Sequence, residues 1–489
     1  MNYKVILSTL GRLLKVEAVL LFLPLCVSLI YKETSYISFV ITIIILLAVG
    51  FSLTTFLKPE RKNFYAREGF IIVGLSWIVM SLFGCLPFVI SKQIPNFIDA
   101  FFETVSGFTT TGASIISNID SWYDNAKGLL FYRSFTHWIG GMGVLVFILA
   151  IIPKSEGQNI YILKAESTGP KVGKLVSKIK VTARILYLIY FSLTLIETFL
   201  LTLDPSMNFF DAIVHSLATA GTGGFGIRSN SVGFYSSYSQ IVIAIFMLLF
   251  GINFNIFYLI LIGKIKQAFK SEELWWYFGF IFISTIAIMI DIYFDVSLAY
   301  QNLGIALRDS FFQVSSIITT TGFATVDFQT WSSFSKTILL LLMFVGGCAG
   351  STAGGLKVSR VMILFKSVKR EIKKLVHPNS IINIKVDGNP IDEEIVKSVN
   401  GYSIMMILIL AACLIIVTFN GLDFETNMTA VISCINNIGP GLGKIIGPAG
   451  SYAPFNGLSK LTLIFAMLIG RLEIYPILIL FNPKSWLNK

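Results

Sequence analysis

Charge is scarce in this sequence. Asp, Glu, Lys and Arg make up 13% of its 489 residues, about half the share found in an ordinary soluble domain. Hydrophobic residues reach 55% and mean hydropathy is +0.77, which excludes a typical soluble globular chain and points to membranes. Histidine is rarer still: His137, His215 and His377 do not cluster, so neither a metal site nor His-based catalysis is supported. The five cysteines (Cys26, Cys85, Cys348, Cys413, Cys434) sit singly inside apolar runs, without disulfide or metal-ligand spacing. They read as small apolar side chains. No Walker string occurs, and Gly439, Gly441 and Gly443 have no Rossmann strand before them, so nucleotide binding by the chain itself is not expected. No covalently bound cofactor is implied. A cleavable signal pattern is also missing, and the first apolar run reads as a spanning helix.

What is present in its place is a repeat. Residues 99–114 and 309–324 align without a gap, Asp99 on Asp309, Ser106 on Ser316 and Gly112 on Gly322, and both carry three threonines before the glycine. Such a string arises by chance on the order of once per hundred chains this long. A weaker copy runs from Asp211 to Gly224, and a degenerate fourth ends at Gly439, with Ser433 six residues before it. The glycines at 112, 224, 322 and 439 are spaced by 112, 98 and 117 residues. An internal repeat of this length sets the fold.

Spanning helices need roughly 20 apolar residues. Runs at 13–31 and 37–57 form an N-terminal pair, followed by 69–90, a short apolar segment at 97–108, and 128–152. The pattern of full helix, short segment and full helix recurs at 182–203, 208–220 and 237–262, at 274–295, 305–318 and 334–366, and at 401–419, 426–437 and 456–482. The expected architecture is an all-α polytopic membrane protein: four pseudo-symmetric helix–pore-loop–helix repeats around one pore, plus two N-terminal transmembrane helices. That makes ten full spans and four half-entering segments. The divisions are 1–60, 61–155, 156–265, 266–368 and 369–489. With this count, 28 of the 38 basic residues fall on one side. Both termini are then cytoplasmic, and the short segments enter from outside. The net charge of +11 is thereby a topology signal, and nucleic acid is not an expected partner.

Non-helical backbone at membrane depth must be covered by protein or line a water-filled cavity. Each short segment starts near an acid, Asp99, Asp211, Asp309 or Glu425, as suits a helix N-terminus. Its negative C-terminal end then points inward, and four such ends aimed at one spot favour a cation. The residues that follow are Thr110, Thr111 and Gly112; Thr222, Gly223 and Gly224; Thr320, Thr321 and Gly322; and Asn437, Ile438 and Gly439. Glycine lets carbonyl oxygens turn to the axis, where rings of them replace the water shell of a monovalent cation. No carboxylate lies in these strings, which argues against a divalent-selective ring. Glu103, Asp120, Asp124 and Asp327 lie close by, either as collectors of cations at the mouth or as solvated loop acids.

These features resemble the bacterial Trk/Ktr potassium transporter superfamily. The resemblance rests on Gly107–Ser114, Thr219–Gly226, Ile318–Ala324 and Asn436–Gly443, and it covers essentially the whole chain. The two extra N-terminal helices, Ala165–Pro170 and Gly470–Glu473 resemble its TrkH/TrkG branch. It implies K+ as the transported ion, a homodimer with one pore per protomer, and a cytosolic TrkA-type ring that alone handles nucleotide. It also implies the bacterial inner membrane. Gly226 departs from the Ser that many members carry, with little effect expected. The fourth string lacks threonine, so the ring is not truly four-fold.

Gly346-Gly347-Cys348-Ala349-Gly350-Ser351-Thr352-Ala353-Gly354-Gly355 interrupts the third repeat's second helix. Five glycines there oppose helix, each by about 1 kcal/mol against Ala. The stretch is either close helix packing or, as the resemblance also points, a mobile intramembrane gate. Arg471 lies inside an apolar span, where a charge marks function. It either pairs with Glu473 or faces the cavity below the filter, repelling cations and holding the glycine-rich loop. Lys336 and Lys460, at helix ends, are expected to snorkel; Arg133 is unplaced. The basic loops 153–181 and 357–397 are surfaces for a partner or for anionic lipid. Obligatory coupling to sodium or protons stays open as an alternative to a potassium pore. A polytopic enzyme would need clustered acids or histidines that the sequence lacks.

Overall fold

In the computed structural model, residues 2–57, 66–143, 179–295, 298, 300, 302–380 and 382–486 are described. The stretch Ala165–Pro170 and the basic loop 153–181, apart from its last residues, lie outside them. The N-terminal helix runs from Tyr3 to Leu20 and continues as Phe22–Ile30, so it starts ten residues before its expected position. It packs on Tyr36–Phe56 through glycines: a Cβ on Gly50 would lie 2.9 Å from the Gly11 carbonyl oxygen. Small residues of this kind let helices approach closely where apolar burial alone gives no drive.

Among the described residues, six helices are long and apolar enough to cross a membrane: Tyr3–Ile30, Tyr36–Phe56, Arg67–Ile90, Ala183–Thr202, Glu272–Phe294 and Glu393–Asn420. They are the N-terminal pair and the first helix of each repeat. The second helices of the repeats are not among them. Lys127–Gly141 is followed by Met142 and Gly143, and the remainder of the helix expected at 128–152 lies outside the described residues. Ser237–Phe250 turns by 89° into Phe254–Leu261 at Gly251. Ser333–Val345 stops at Gly346 and resumes as Val358–Val376, and Gly457–Arg471 breaks before Tyr475–Phe481. The continuous helices expected at 237–262, 334–366 and 456–482 are therefore each two pieces. Neighbours from elsewhere in the chain crowd both break points: a Cβ on Gly346 would lie 2.4 Å from the Gly354 carbonyl oxygen, and one on Gly251 2.4 Å from the Tyr277 hydroxyl. In the fourth repeat Glu473 and Ile474 take left-handed φ values of 58° and 66°, which no continuing helix allows.

Between the two helices of each repeat lies a short helix: Phe97–Phe108, Phe209–Gly221, Leu303–Ile318 and Phe424–Ile435. Their caps are Asn96, Asn208, Asn302 and Asp423, whose side-chain oxygens accept from first-turn N–H groups. Asp99 and Asp211 sit in the first turn as expected. Asp309 does not: the third short helix begins at Leu303, which places Asp309 mid-helix, paired with Arg308 at 2.8 Å. In the fourth, Asp423 rather than Glu425 makes the cap. Beyond Val358–Val376, a two-stranded antiparallel hairpin pairs Lys385 with Pro390 and Val386 with Asn389, and its Ile384 and Val386 pack on Met362 and Ile363.

Candidate functional site

The strings that follow the four short helices meet. An added Cβ on Gly112 would lie 2.0 Å from the Gly223 carbonyl oxygen, and one on Gly224 1.9 Å from that of Thr321. On Gly322 it would lie 2.1 Å from the Ile438 oxygen, and on Gly439 2.6 Å from that of Thr111. Gly223, Thr321, Ile438 and Thr111 are the residues just before the repeat glycines, so the contacts run from segment one to two, three, four and back to one. A cycle of this kind closes only when the segments surround one axis in chain order. Two residues before each glycine, Thr110, Thr222, Thr320 and Asn437 share left-handed φ values of 54°, 54°, 56° and 56°. The glycines themselves follow at 79°, 72°, 85° and 99°. A left-handed β-branched residue is an outlier that persists only where its surroundings hold it; recurrence at matching positions marks one shared backbone form.

Side chains brace the ring from behind. The Thr109 and Thr111 hydroxyls lie 2.8 Å apart, as do those of Thr319 and Thr321. Asn437 Nδ2 donates to Thr111 Oγ1 at 2.9 Å and to the Met467 carbonyl at 3.0 Å, tying the fourth segment to the first. The four glycines line one vestibule, together with Ser114, Arg133 and Tyr452. Arg133 finds its place here: fully buried, it donates through Nε to Glu103 Oε1 at 2.7 Å and contacts the Gly226 carbonyl. Glu103 is thus a buried structural partner, also accepting from the Ile115 N–H at 2.8 Å, and not a solvated acid at the mouth. Lys460 likewise does not snorkel but pairs with Asp99 at 2.7 Å.

The glycine-rich segment lies against the ring on the side opposite the vestibule. Gly354 N–H donates to Thr320 Oγ1 at 2.6 Å, and a Cβ on Gly354 would meet the Asn436 oxygen at 2.5 Å. Gly346, Gly350 and Gly355 take φ values of 72°, 71° and 75°. Gly347 accepts from Val358 N–H at 3.0 Å, Gly350 from Phe254 N–H at 3.1 Å, and Ser351 Oγ donates to the Cys348 oxygen at 2.6 Å. Cys348 N–H and the Thr352 hydroxyl bond the Gly251 and Phe250 carbonyls at 2.9 and 3.1 Å. Glu273, which the sequence reading passed over, receives the N–H groups of Ala349 and Ser359 at 2.7 and 3.1 Å and so holds both ends of the loop. Its signal was an acid on an apolar helix opposite that glycine run.

Arg471 donates to the Thr352 carbonyl at 2.8 Å and to those of Gly140 and Gly141 at 2.6 and 2.7 Å. It ties the glycine-rich loop to the C-terminal end of Lys127–Gly141. Glu473 forms an ion pair with Arg360 at 2.5 Å. The four strings thus form one ring, the glycine run touches it through Gly354, and Arg471 is joined to that run through Thr352.

The chain resembles known proteins along its whole length. Residues 35–488 match the family described as TrkH, cation transport protein. The chain belongs to the TrkH family. It is similar to the Trk system potassium uptake protein TrkH of Escherichia coli strain K12, at 36% identity over 99% of this chain and 100% of that protein. Similarity to the TrkG protein of the same strain is 34%, with 99% of each covered. The crystal structure of the potassium transporter TrkH from Vibrio parahaemolyticus superposes with a TM-score of 0.88 at 34% identity, covering both chains completely. As a TrkH-family member the chain is an integral membrane transport protein of the bacterial cell membrane, of the Trk potassium-uptake kind, and not an enzyme.

Proposed function

We propose that the chain takes up potassium through a selectivity filter made by residues 110–112, 222–224, 320–322 and 437–439. The observation that carries this reading is the closed cycle of glycine–carbonyl approaches. Backbone oxygens around one axis replace the hydration shell of a monovalent ion, and the short helices preceding them direct their negative ends there. Uptake needs no chemistry: the membrane potential supplies about 2.3 kcal/mol per charge per 100 mV. The glycine-rich run 346–355, held by Arg471, is the gate beneath the filter.

The repeats span 61–155, 156–265, 266–368 and 369–489, after an N-terminal pair at 1–60. Both termini face the cytoplasm, two copies form a homodimer, and a TrkA-type nucleotide-sensing ring docks on the basic face that includes Val358–Val376. The test is 86Rb+ flux and reversal potentials in liposomes holding purified protein, with K+ and Na+ mixed across the membrane. A reversal potential tracking K+ supports the reading. Absence of flux from folded protein with the partner added defeats it, and flux that strictly requires a second ion replaces the pore by a symporter.

A further inference from the structure

The second filter segment lacks the brace that its neighbours have. Behind segments one and three, paired threonine hydroxyls at 109 and 111, and at 319 and 321, close on one another at 2.8 Å. The aligned residues of segment two are Gly221 and Gly223, which carry no side chain. The imidazole of His137, from the helix Lys127–Gly141, lies in their place. A Cβ on Gly223 would fall 1.8 Å from Nδ1 and 2.3 Å from Cγ and Cε1 of that ring. A Cβ on Gly221 would meet the His137 carbonyl oxygen at 2.3 Å. On its other side the ring touches Phe225, with centroids 4.1 Å apart. His137 is fully buried, and neither ring nitrogen meets a hydrogen-bond partner among the described residues. Leaving two buried ring nitrogens unmatched costs stability. Stability therefore does not account for a histidine here, and its contact with the filter backbone does.

We propose that His137 is a selectivity-determining positioning residue, whose ring replaces the threonine pair behind segment two and fixes the Gly223 carbonyl where it borders Gly112. The consequence is specific. Gly223 is the residue whose oxygen approaches Gly112 across the segment boundary. A ring against its Cα limits the tilt of that peptide, and the spread of oxygens around the ion decides which ion replaces its water there. The role is one of shape, exercised through Gly223 and not through contact with the ion. It rests on the filter reading above.

The test measures the K+/Na+ permeability ratio of the full-length protein in liposomes, alongside total flux. His137→Ala lowers the ratio about tenfold while flux persists, because the oxygens are loosened and not removed. Gly223→Thr alone also lowers it, since its Cβ collides with the ring. Combining the two gives segment two the residue that segments one and three carry at this place, and the double variant recovers to within about threefold of the parent. Removing His137 thus harms the parent but helps the Gly223→Thr protein, the coupling expected of two groups that compete for one space; its appearance in the ion ratio while total flux persists is what a merely structural role would not produce. His137→Phe, which keeps a planar ring, retains the ratio. Should His137→Ala not accumulate as monodisperse protein, the Phe variant and the comparison of Gly223→Thr with the double variant decide the matter. An unchanged ratio in His137→Ala, or a double variant no better than Gly223→Thr, overturns the proposal. Gly322→Ser serves as the control: if it leaves the ratio untouched, the filter reading itself has failed, whatever His137 does.

Discussion

Replacing Arg471 by alanine removes three donors to main-chain oxygens at once, those of Thr352, Gly140 and Gly141, at 2.8, 2.6 and 2.7 Å. A hydrogen bond from a charged group contributes roughly 1.5–3 kcal/mol, and less where water can replace it. About 1 kcal/mol per bond is the conservative figure. A total of about 3 kcal/mol shifts the balance between seated and unseated loop by roughly a hundredfold. If the loop is the gate, Arg471→Ala raises 86Rb+ uptake into liposomes without any partner protein by between about ten- and a hundredfold. The K+/Na+ ratio stays at the parent value, because the three carbonyls that Arg471 holds lie in the glycine-rich loop and at the end of Lys127–Gly141, outside the four filter strings. Partner-free uptake equal to the parent in folded protein would refute the reasoning, since the brace would then not restrain the gate. A collapse of the ion ratio would refute it differently, by placing Arg471 in the filter.

Glu273→Ala frees both ends of the glycine-rich loop; amide exchange across 346–357, followed by mass spectrometry, is expected to speed up at least about tenfold while exchange in Tyr36–Phe56 is unchanged. Glu103→Ala leaves the buried Arg133 charge without its carboxylate, and the melting transition in detergent should fall by an amount corresponding to about 3–5 kcal/mol. Asp204, in the loop before the second short helix, offers a pH test. Burial pushes its carboxyl up, but donors from Ser236, Ser239 and Ser206 outweigh it and hold the group at about 2, below its ordinary 3.8. A depressed folded pKa gives stability that is full above the unfolded value and is lost as pH falls through the folded one. The melting difference between the parent and Asp204→Asn should thus be constant above about pH 5 and shrink progressively from about pH 5 to about pH 2; a difference that does not shrink would contradict it.

What the sequence revealed and what it hid follow one physical division. The short helices were visible because each is an apolar run closed by a polar cap and a Thr/Gly string, all local signals. The first was placed at 97–108, where the structure has it. The ring was visible only through repetition, since no single Thr/Gly string distinguishes a turn from a pore lining. The breaks in the second helices were hidden, except at the glycine-rich run. Gly251, or Leu472-Glu473-Ile474, looks harmless within twenty apolar residues, because a single segment does not carry its neighbours, such as the Tyr277 and Thr319 side chains that crowd Gly251. The pairing of Lys460 with Asp99, and of Arg133 with Glu103, was hidden for the same reason: partners 361 and 30 residues apart share no local pattern. His137 was read as one isolated histidine, and nothing in its own helix announces that two glycines 84 and 86 residues later leave room for its ring.

The broken helices and the glycine-rich loop are parts of one device. Ending a helix inside a membrane strands its last carbonyls, which must find donors. For the second repeat, Phe250 and Gly251 find Thr352 and Cys348 of the loop. For the first, Gly140 and Gly141 find Arg471, which in turn holds Thr352. The third repeat contributes the loop itself and, through Thr320, its bond to the ring. The fourth contributes Arg471 and the Asn436 backbone against which Gly354 rests. The loop therefore satisfies carbonyls that exist only because the helices around it end there, and it cannot leave without stranding several at once. Hydrogen bonds that must be exchanged together make such a motion two-state rather than gradual. Straightening one break by Gly251→Ala is consequently no neutral change: its Cβ would lie 2.4 Å from the Tyr277 hydroxyl and 2.9 Å from Thr319 Cγ2, pressing the third filter segment from the residue whose carbonyl holds Cys348 of the loop.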